Sequence, residues 1–328
     1  IGAGIVVLLP EFLSELAEYR LLIFGGLLLG VLWAAPRGVV GTITRLFEIE
    51  PAEAARPPLR SLREICTPDG APSPLVVNGL RKAFGGVQAV DDVSFDAGPG
   101  KITSVIGPNG AGKTTILNLV SGFYTPDAGG VSLGEAELAG QPSHRIAQAG
   151  IARTYQTTQL FGELTVLENV AVALKSGHPG SVFAPAMSES GRRDAEDLLA
   201  AVGYWGPLAR RANALPHIDR RLVEIARALA MRPRVLLLDE PAAGLTRDDK
   251  DRLAQLLREI AGTGIAVVVV EHDMSLVMSI SDSVVVLDGG ALLTVGTPDE
   301  VRTNADVHRA YLGGLDYEGR PRQVPWSG

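Results

Sequence analysis

From residue 75 onward, short apolar runs alternate with longer stretches of helical character. The runs cover residues 75–77, 102–106, 235–238, 266–270 and 283–287. Each run has the length of a strand, and each is bounded by residues that favour turns or helices. This alternation predicts an α/β domain with a mainly parallel central sheet.

Two further apolar runs lie near the start of the chain, at residues 1–9 and 21–36. The second run, LLIFGGLLLGVLWAAP, is slightly short for a membrane span, which needs roughly 17 to 25 residues, and a buried core helix is the alternative. Three glutamates precede the run, whereas Arg37 and Arg45 follow it. Because positive charge collects on the cytoplasmic side of a span, we expect the C-terminal side to be cytoplasmic.

Residues 48–74 are rich in proline, alanine and charge and show no sustained hydrophobic period. This composition predicts a linker. The polar residues 317–328 predict a flexible tail. Since the chain starts at Ile1 without a methionine and no basic segment precedes the first apolar run, we expect part of a longer polypeptide without a secretory signal.

Composition narrows the classes of function. The 328 residues exceed the usual size of one domain, and the net charge of −7 gives no general attraction for nucleic acid. The only cysteine, Cys66, cannot form an internal disulfide, and no histidine or cysteine cluster has the spacing of metal ligands. We therefore expect a catalytic part in a reducing compartment and no nucleic-acid partner.

The segment GPNGAGKTT fits the phosphate-binding motif G-x-x-x-x-G-K-[ST], and it follows an apolar run and precedes a helical stretch. Its glycines allow backbone N–H groups to surround an anion at a helix N-terminus. We expect Lys113 to reach the β- and γ-phosphates and Thr114 to hold Mg²⁺; a chance match is the alternative. The candidate nucleotide ligands of this segment are Gly107, Asn109, Gly110, Gly112, Lys113, Thr114 and Thr115.

Two later strands end in residues that suit phosphate chemistry. The run 235–238 is followed by Asp239 and Glu240, which predicts that Asp239 faces Mg²⁺ and Glu240 faces an attacking water. His272 follows the run 266–270 in the same way. Ligands of open α/β sheets collect at the carboxyl ends of the strands, so these side chains are candidates for one site.

With these motifs, residues 75–316 resemble the ABC transporter ATPase family. The resemblance implies a P-loop NTPase core with an antiparallel β subdomain and a helical subdomain. It also implies that Phe84 stacks on adenine, that Gln156 touches Mg²⁺ and the water while facing a membrane subunit, and that His272 contacts the γ-phosphate. The alternatives are a core aromatic, a solvated loop glutamine and a core or surface histidine.

Several segments are similar to one group within this family, the ATPases of branched-chain (hydrophobic) amino-acid importers. They are GIARTYQ, LFGELTVLENVAVA, LVEIARALA, DEPAAGL, VEHDM and GTPDEVRTNADVHRAYLGG. Residues 8–33 are similar to the final span of that group's permease. The resemblance thus implies a permease and ATPase fusion, in which residues 1–47 are the C-terminal part of the permease.

The same resemblance implies the partners and the place of work. A second ABC ATPase subunit, membrane permease subunits and a periplasmic or extracellular solute-binding protein are the expected partners. The ATPase domain is expected on the cytoplasmic face of the cell's inner membrane. Branched-chain amino acids are the expected solutes, but urea, short amides or aromatic acids stay open, because selectivity belongs to the binding protein and the permease.

One segment departs from the family pattern. The signature loop, usually LSGGQ, reads LPHID over residues 215–219, so Ile218 and Asp219 replace the second glycine and the glutamine. Thr246 stands where many members have an aspartate, although the importer group often departs there. In the family this loop closes over the ATP of a partner subunit. We therefore expect the composite site that this chain completes to be weak, which favours a heterodimer.

Two neighbours of the loop, Arg220 and Arg221, are expected to compensate in part by reaching the phosphate. Two functions then compete: a hydrolysing importer motor, and a subunit that binds nucleotide but hydrolyses weakly because one composite site is degenerate. A third class, ABC ATPases acting on DNA or the ribosome, predicts a coiled-coil insertion or tandem ATPase domains. This chain has neither and carries an apolar N-terminal segment instead.

Overall fold

The computed structural model of the chain describes residues 60–68, 70–174 and 188–312, with the isolated positions 25, 26, 29 and 57. The predicted membrane segment 1–47, apart from three of these positions, and the predicted tail 317–328 lie outside the described residues. The chain divides into two compact units, Ile1–Ala52 and Glu53–Gly328. Within the described ranges, no helix has both the length and the apolar character that crossing a bilayer requires.

Strands and helices alternate along the described chain, and the first helix lies within the predicted linker 48–74. The strands are β1 Leu75–Phe84, β2 Val87–Ala97, β3 Ile102–Ile106, β4 Ala128–Leu133, β5 Ala136–Glu137, β6 Ile151–Arg153, β7 Val235–Asp239, β8 Ala266–Val270, β9 Ser283–Asp288 and β10 Ala291–Gly296. The helices are α1 Leu62–Ile65, α2 Lys113–Val120, α3 Ser143–Gln148, α4 Val166–Ala171, α5 Glu189–Ala201, α6 His217–Leu229, α7 Arg247–Gly262, α8 Met274–Ile280, α9 Pro298–Thr303 and α10 Ala305–Leu312.

These strands form a sheet in the order β5-β4-β1-β2-β10-β9-β3-β8-β7-β6. Strands β9, β3, β8, β7 and β6 run parallel to one another, whereas β5, β4, β1 and β2 pair antiparallel. The prediction of a mainly parallel central sheet with an antiparallel β region is confirmed. The predicted run 75–77 is only the start of β1, whose remaining residues vary between exposed, half-buried and buried and therefore lack a continuous apolar run.

The central strands are buried on both faces, which explains their uninterrupted apolar sequences. In β8, Val267 and Val269 pack into one apolar cluster, while Val268 and Val270 pack into the cluster on the opposite face. The burial of each such side chain stabilises the folded state by about 1.5–3 kcal/mol. This two-sided burial fixes the register of the strands and hence the edge at which they end.

The register brings three strand ends to one edge of the sheet. Val270 at the end of β8 pairs with Val105 of β3 on one side and with Asp239 of β7 on the other. On one face of the sheet, α4, α5 and α6 pack together into a helical layer. The segments that follow β3, β7 and β8 therefore meet beside the helical layer.

The packing of α1 leads to a prediction about the reactivity of the Cys66 thiol. Cys66 caps this helix, is fully buried against the helical layer, and its burial raises the pKa of the thiol to about 12. Because the thiolate is the reactive form, we expect the native chain at pH 8 to resist a disulfide reagent such as Ellman's reagent. The unfolded chain should react at once. Rapid stoichiometric labelling of the native chain would show that α1 does not pack as described.

Candidate functional site

The segment between β3 and α2 forms a loop that opens toward the edge where β7 and β8 end. Gly112 caps α2 in the left-handed conformation (φ 92°), and a Cβ at this position would collide with the carbonyl oxygen of Ala89. Only glycine tolerates both constraints. Gly107 is buried at the end of the strand, whereas Asn109, Gly110 and Thr114 are exposed. The loop therefore presents its backbone to solvent, as the motif predicts.

Lys113 lies across this loop. Its Nζ donates to the carbonyl oxygens of Gly107, at 2.7 Å, and Pro108, at 2.9 Å. Burial lowers the pKa of Lys113, and the negative charges of Glu240 and Asp239 oppose that shift. An anion in the loop would offer this buried ammonium a stronger acceptor than two carbonyl groups.

The carboxyl end of β7 carries the two predicted acidic residues. Asp239 is buried; its Oδ2 accepts from Arg153 Nη2 at 3.0 Å, and its Oδ1 has no hydrogen-bond partner among the described residues. Burial raises the pKa of Asp239, and the charge of Arg153 opposes the shift. The open Oδ1, with the hydroxyl of Thr114 and the amide of Gln156, offers the oxygen ligands that Mg²⁺ prefers.

Glu240 is the point at which the predicted catalytic side chains meet. Gln156 Nε2 donates to Glu240 Oε2 at 2.9 Å, and His272 Nδ1 lies 3.8 Å from the same oxygen. The His272 side chain is 60% exposed, so the alternative that it is a core histidine does not apply. The structure thus brings together three residues that lie 84 and 32 positions apart along the sequence.

Phe84 lies at the end of β1, where it is 41% exposed. Its ring makes an edge contact with Tyr124 at a centroid distance of 5.1 Å, and Lys82 Nζ lies 5.4 Å from its centre. The alternative of a core aromatic is therefore excluded by exposure. Phe84 has an accessible ring that suits stacking on a planar base.

Sequence reasoning missed Arg153, the last residue of β6. Besides Asp239, its guanidinium donates to Asn118 Oδ1 and Ser121 Oγ on and after α2. Arg153 therefore ties the helix of the phosphate loop to the acidic end of β7. The available signal was its position three residues before Gln156, but a lone arginine is usually solvated and gave no reason to single it out.

The pair Arg221 and Glu224 on α6 was also missed. Both side chains are buried and lie 2.7 Å apart. Arg221 donates to the carbonyl oxygens of Tyr155 and Gln156, while Glu224 accepts from the N–H groups of Tyr155 and Gln159. Burial raises the pKa of Glu224, and Arg221 opposes the shift. This ion pair fixes the backbone that carries Gln156 to the helical layer.

The expectation that Arg221 reaches a phosphate is wrong, whereas the expectation for Arg220 stays a prediction. Arg221 is fully buried in the ion pair just described. Arg220 is turned back onto its own loop, where it donates to Leu215 O at 2.9 Å and Asn213 O at 2.8 Å. Arg220 satisfies carbonyl groups of the loop before α6, whereas Arg221 satisfies carbonyl groups that lie 66 and 65 positions away in the sequence.

The altered loop 215–219 has an inner and an outer part. Ile218 and Asp219 are half-buried and line a groove together with Trp205 and Arg252. Burial raises the pKa of Asp219. By contrast, Pro216 and His217 are exposed at the N-terminus of α6, where Pro216 provides no side-chain cap.

Comparisons with known proteins agree with the family resemblance of the sequence. The family model described as "ABC transporter" matches residues 90–243, and the model described as "Branched-chain amino acid ATP-binding cassette transporter" matches residues 291–317. The high-affinity branched-chain amino acid transport ATP-binding protein LivG of Salmonella typhimurium is 44% identical over 249 residues, which cover 73% of this chain and 97% of LivG. BraF of Pseudomonas aeruginosa, of the same description, is 43% identical over 248 residues and is covered to 97%.

Solved structures give the same result for the fold. A nucleotide-free ATP-binding cassette from an ABC transporter aligns with a TM-score of 0.66 and 28% identity, covering 74% of this chain and all of the other. The cassette MJ0796, a dimer in a post-hydrolysis state bound to ADP and Pi, aligns with a TM-score of 0.61 and 26% identity. That alignment covers 68% of this chain and 98% of MJ0796.

Removing the positive member of the buried ion pair should destabilise the chain. In Arg221→Met the Glu224 carboxylate loses its cation, so we expect the free energy of unfolding to fall by roughly 3–5 kcal/mol. Adding Glu224→Gln removes the stranded charge but keeps an acceptor for Tyr155 and Gln159, and should restore about 1–2 kcal/mol. Urea unfolding of wild type and both variants measures these differences. A loss below about 1 kcal/mol in Arg221→Met would contradict the assignment.

Proposed function

The chain belongs to the ABC transporter ATP-binding proteins of the branched-chain amino acid importer group, and we propose that it binds and hydrolyses ATP to power the uptake of branched-chain amino acids or similar small polar or hydrophobic solutes. Its relatives LivG and BraF are described as transport proteins for branched-chain amino acids. The observation that carries the proposal is the meeting of Gln156, Glu240 and His272 beside the phosphate loop.

In the proposed mechanism, the phosphate loop holds the nucleotide. Backbone N–H groups of residues 109–115 bind the α- and β-phosphates, and Lys113 exchanges its two carbonyl partners for the β- and γ-phosphates. Adenine stacks on the exposed ring of Phe84. Asp239, Thr114 and Gln156 would hold Mg²⁺, which when bound neutralises the charge that develops on the phosphates.

Glu240 is the general base in this proposal. Its carboxylate accepts a proton from the water that attacks the γ-phosphorus, as the bond from phosphorus to the leaving oxygen breaks. Gln156 orients the water through the same carboxylate, and His272 donates to a γ-phosphate oxygen. Gln156 is already hydrogen-bonded to Glu240, and His272 lies 3.8 Å from the same carboxylate oxygen, so the three side chains are close together before nucleotide binds.

We propose that the chain works with a second, different ABC ATPase subunit, with permease subunits and with a solute-binding protein outside the membrane. The ATPase domain, residues 75–316, would then lie on the cytoplasmic face of the inner membrane. Residues 1–47 would be the end of a fused permease, joined by the linker 48–74. The apolar run 21–36 and the positive charge after it support this arrangement.

The weakly hydrolysing subunit stays a second candidate because of the loop 215–219. A working signature offers a hydroxyl group and free N–H groups to the partner's γ-phosphate, and Pro216 has neither. The partner would carry an intact signature over the ATP that this chain binds. Hydrolysis at Lys113 and Glu240 would then continue while the other composite site stays slow.

Glu240→Gln should separate binding from hydrolysis. The amide cannot accept the proton from water, so we expect kcat to fall by roughly 10²- to 10⁴-fold while ATP binding persists. As the matched control, Lys113→Ala should weaken ATP binding by roughly 10- to 100-fold, because a buried charge-assisted bond is lost. Phosphate release and equilibrium nucleotide binding measure the two effects. A Glu240→Gln chain with wild-type turnover would rule out the proposed base.

Restoring the signature tests the second candidate. Replacing Ile218 by Gly and Asp219 by Gln should raise single-turnover hydrolysis at the partner's site and leave ATP binding by this chain nearly unchanged. Replacing the exposed pair, Pro216→Ser with His217→Gly, should raise it more, since these residues form the outer part of the loop. An ATP-dependent homodimer of the wild-type chain with full activity at both sites would refute the degenerate-site candidate.

A further inference from the structure

Glu240 has an unusual backbone conformation for the residue that is proposed to act as the base. Its φ is 45°, in the left-handed region that residues with a side chain seldom occupy. Such a conformation is unfavourable for a residue with a side chain and persists only where surrounding contacts hold it. The contacts that hold this turn therefore also determine where the Glu240 carboxylate lies.

The chain after Glu240 has few donors that could hold it. The next residue, Pro241, has no N–H, so the N–H of Ala242 is the first donor that follows. This N–H donates to Glu271 Oε1 at 2.7 Å in a buried hydrogen bond. On the other side, the N–H of Glu240 donates to Val270 O at 2.9 Å. Two consecutive residues, Val270 and Glu271, therefore hold the backbone at and after the strained Glu240.

The second oxygen of Glu271 holds the neighbouring segment. Its Oε2 accepts from the N–H of His272 at 3.1 Å and from the N–H of Asp273 at 3.4 Å. The imidazole of His272 in turn lies 3.8 Å from Glu240 Oε2. One fully buried carboxylate thus fixes the backbone on both sides of the gap between Glu240 and His272.

The chemistry of this arrangement requires a carboxylate. Both oxygens of Glu271 face N–H donors, and a carboxylate offers acceptors only. An amide of the same shape would turn an NH₂ group toward one of these donors. Burial raises the pKa of Glu271, whereas the three N–H groups oppose the shift by stabilising the ionised form.

We propose that Glu271 is a positioning residue for ATP hydrolysis, which holds the strained turn at Glu240 and the backbone of His272 at a fixed separation. This inference rests on the proposed roles of Glu240 and His272. Glu271 itself touches neither water nor phosphate in this assignment. Its loss should therefore affect the rate of the chemical step and spare the binding of ATP.

The test is Glu271→Gln in the full chain, measured by single-turnover hydrolysis and by equilibrium binding of ATP. We expect kcat to fall by roughly 10- to 100-fold, since misplacement by about 1 Å has effects of this size, while the Kd for ATP changes less than about threefold. In a Glu240→Gln background, Glu271→Gln should cause no further loss, because both changes remove the same function.

The matched control is Asp197→Asn on α5. Asp197 is also a buried carboxylate, and it accepts from Arg60 Nε at 2.7 Å in a part of the chain away from β7 and β8. Its neutralisation should lower stability but leave kcat unchanged. If Glu271→Gln does not fold, Glu271→Asp provides the second variant, since its shorter side chain cannot reach both segments; it too should lower kcat and spare ATP affinity.

The outcomes separate this inference from the proposed function. If Glu240→Gln stalls turnover while Glu271→Gln or Glu271→Asp keeps the wild-type kcat, Glu271 has no positioning role and the proposed function stands. If the loss of kcat in Glu271→Gln equals its loss of folded protein or of ATP affinity, or adds fully to that of Glu240→Gln, the inference is overturned as well. If Glu240→Gln turns over normally, both proposals fail.

Discussion

The site depends on how negative charge is held at the carboxyl ends of β7 and β8. Asp239, Glu240 and Glu271 lie within two adjoining strand ends, and each has a different partner. Arg153 pairs with Asp239, Gln156 donates to Glu240, and backbone N–H groups surround Glu271. Because buried carboxylates are costly unless they are paired, these partners largely determine which segments must converge. These partners hold together segments that the register of β6, β7 and β8 already brings to one edge of the sheet.

The same loop connects this charged edge to the helical layer. Gln156 contacts Glu240 through its side chain, while its carbonyl oxygen accepts from Arg221 on α6. A displacement of the Gln156 loop by nucleotide would therefore be transmitted to α6 through a buried ion pair. Because both side chains of this pair are fully packed, the loop and the helix have little room to move independently. α6 begins at the altered loop 215–219, so the segment proposed to face a partner subunit and the segment proposed to face the γ-phosphate are joined through the Arg221–Glu224 ion pair.

The altered loop 215–219 places its substituted residues in two different surroundings. Ile218 and Asp219, which depart most from the family pattern, are half-buried in a groove, whereas the exposed surface consists of Pro216 and His217. The substitutions thus act in two ways. Ile218 and Asp219 line the groove beside Trp205, whereas Pro216 and His217 change the chemistry at the N-terminus of α6. This distinction follows from the direction in which a helix presents successive residues.

The local sequence pattern was sufficient to predict those elements whose structure depends on residues that are consecutive in the chain. Continuous apolar runs identified the central strands, and the glycines with Lys113 identified the phosphate loop, because burial on both faces and anion binding by backbone each require particular residues in a row. The strand ends also located Asp239, Glu240 and His272. Arg153, Arg221, Glu224 and Glu271 could not be assigned in this way. A charged residue is read as solvated unless its partner is known, and Arg153 meets Asp239 across 86 positions while Arg221 meets Tyr155 across 66. Only the folded arrangement decides whether such a charge faces water or a buried partner, since that depends on segments which no local period connects.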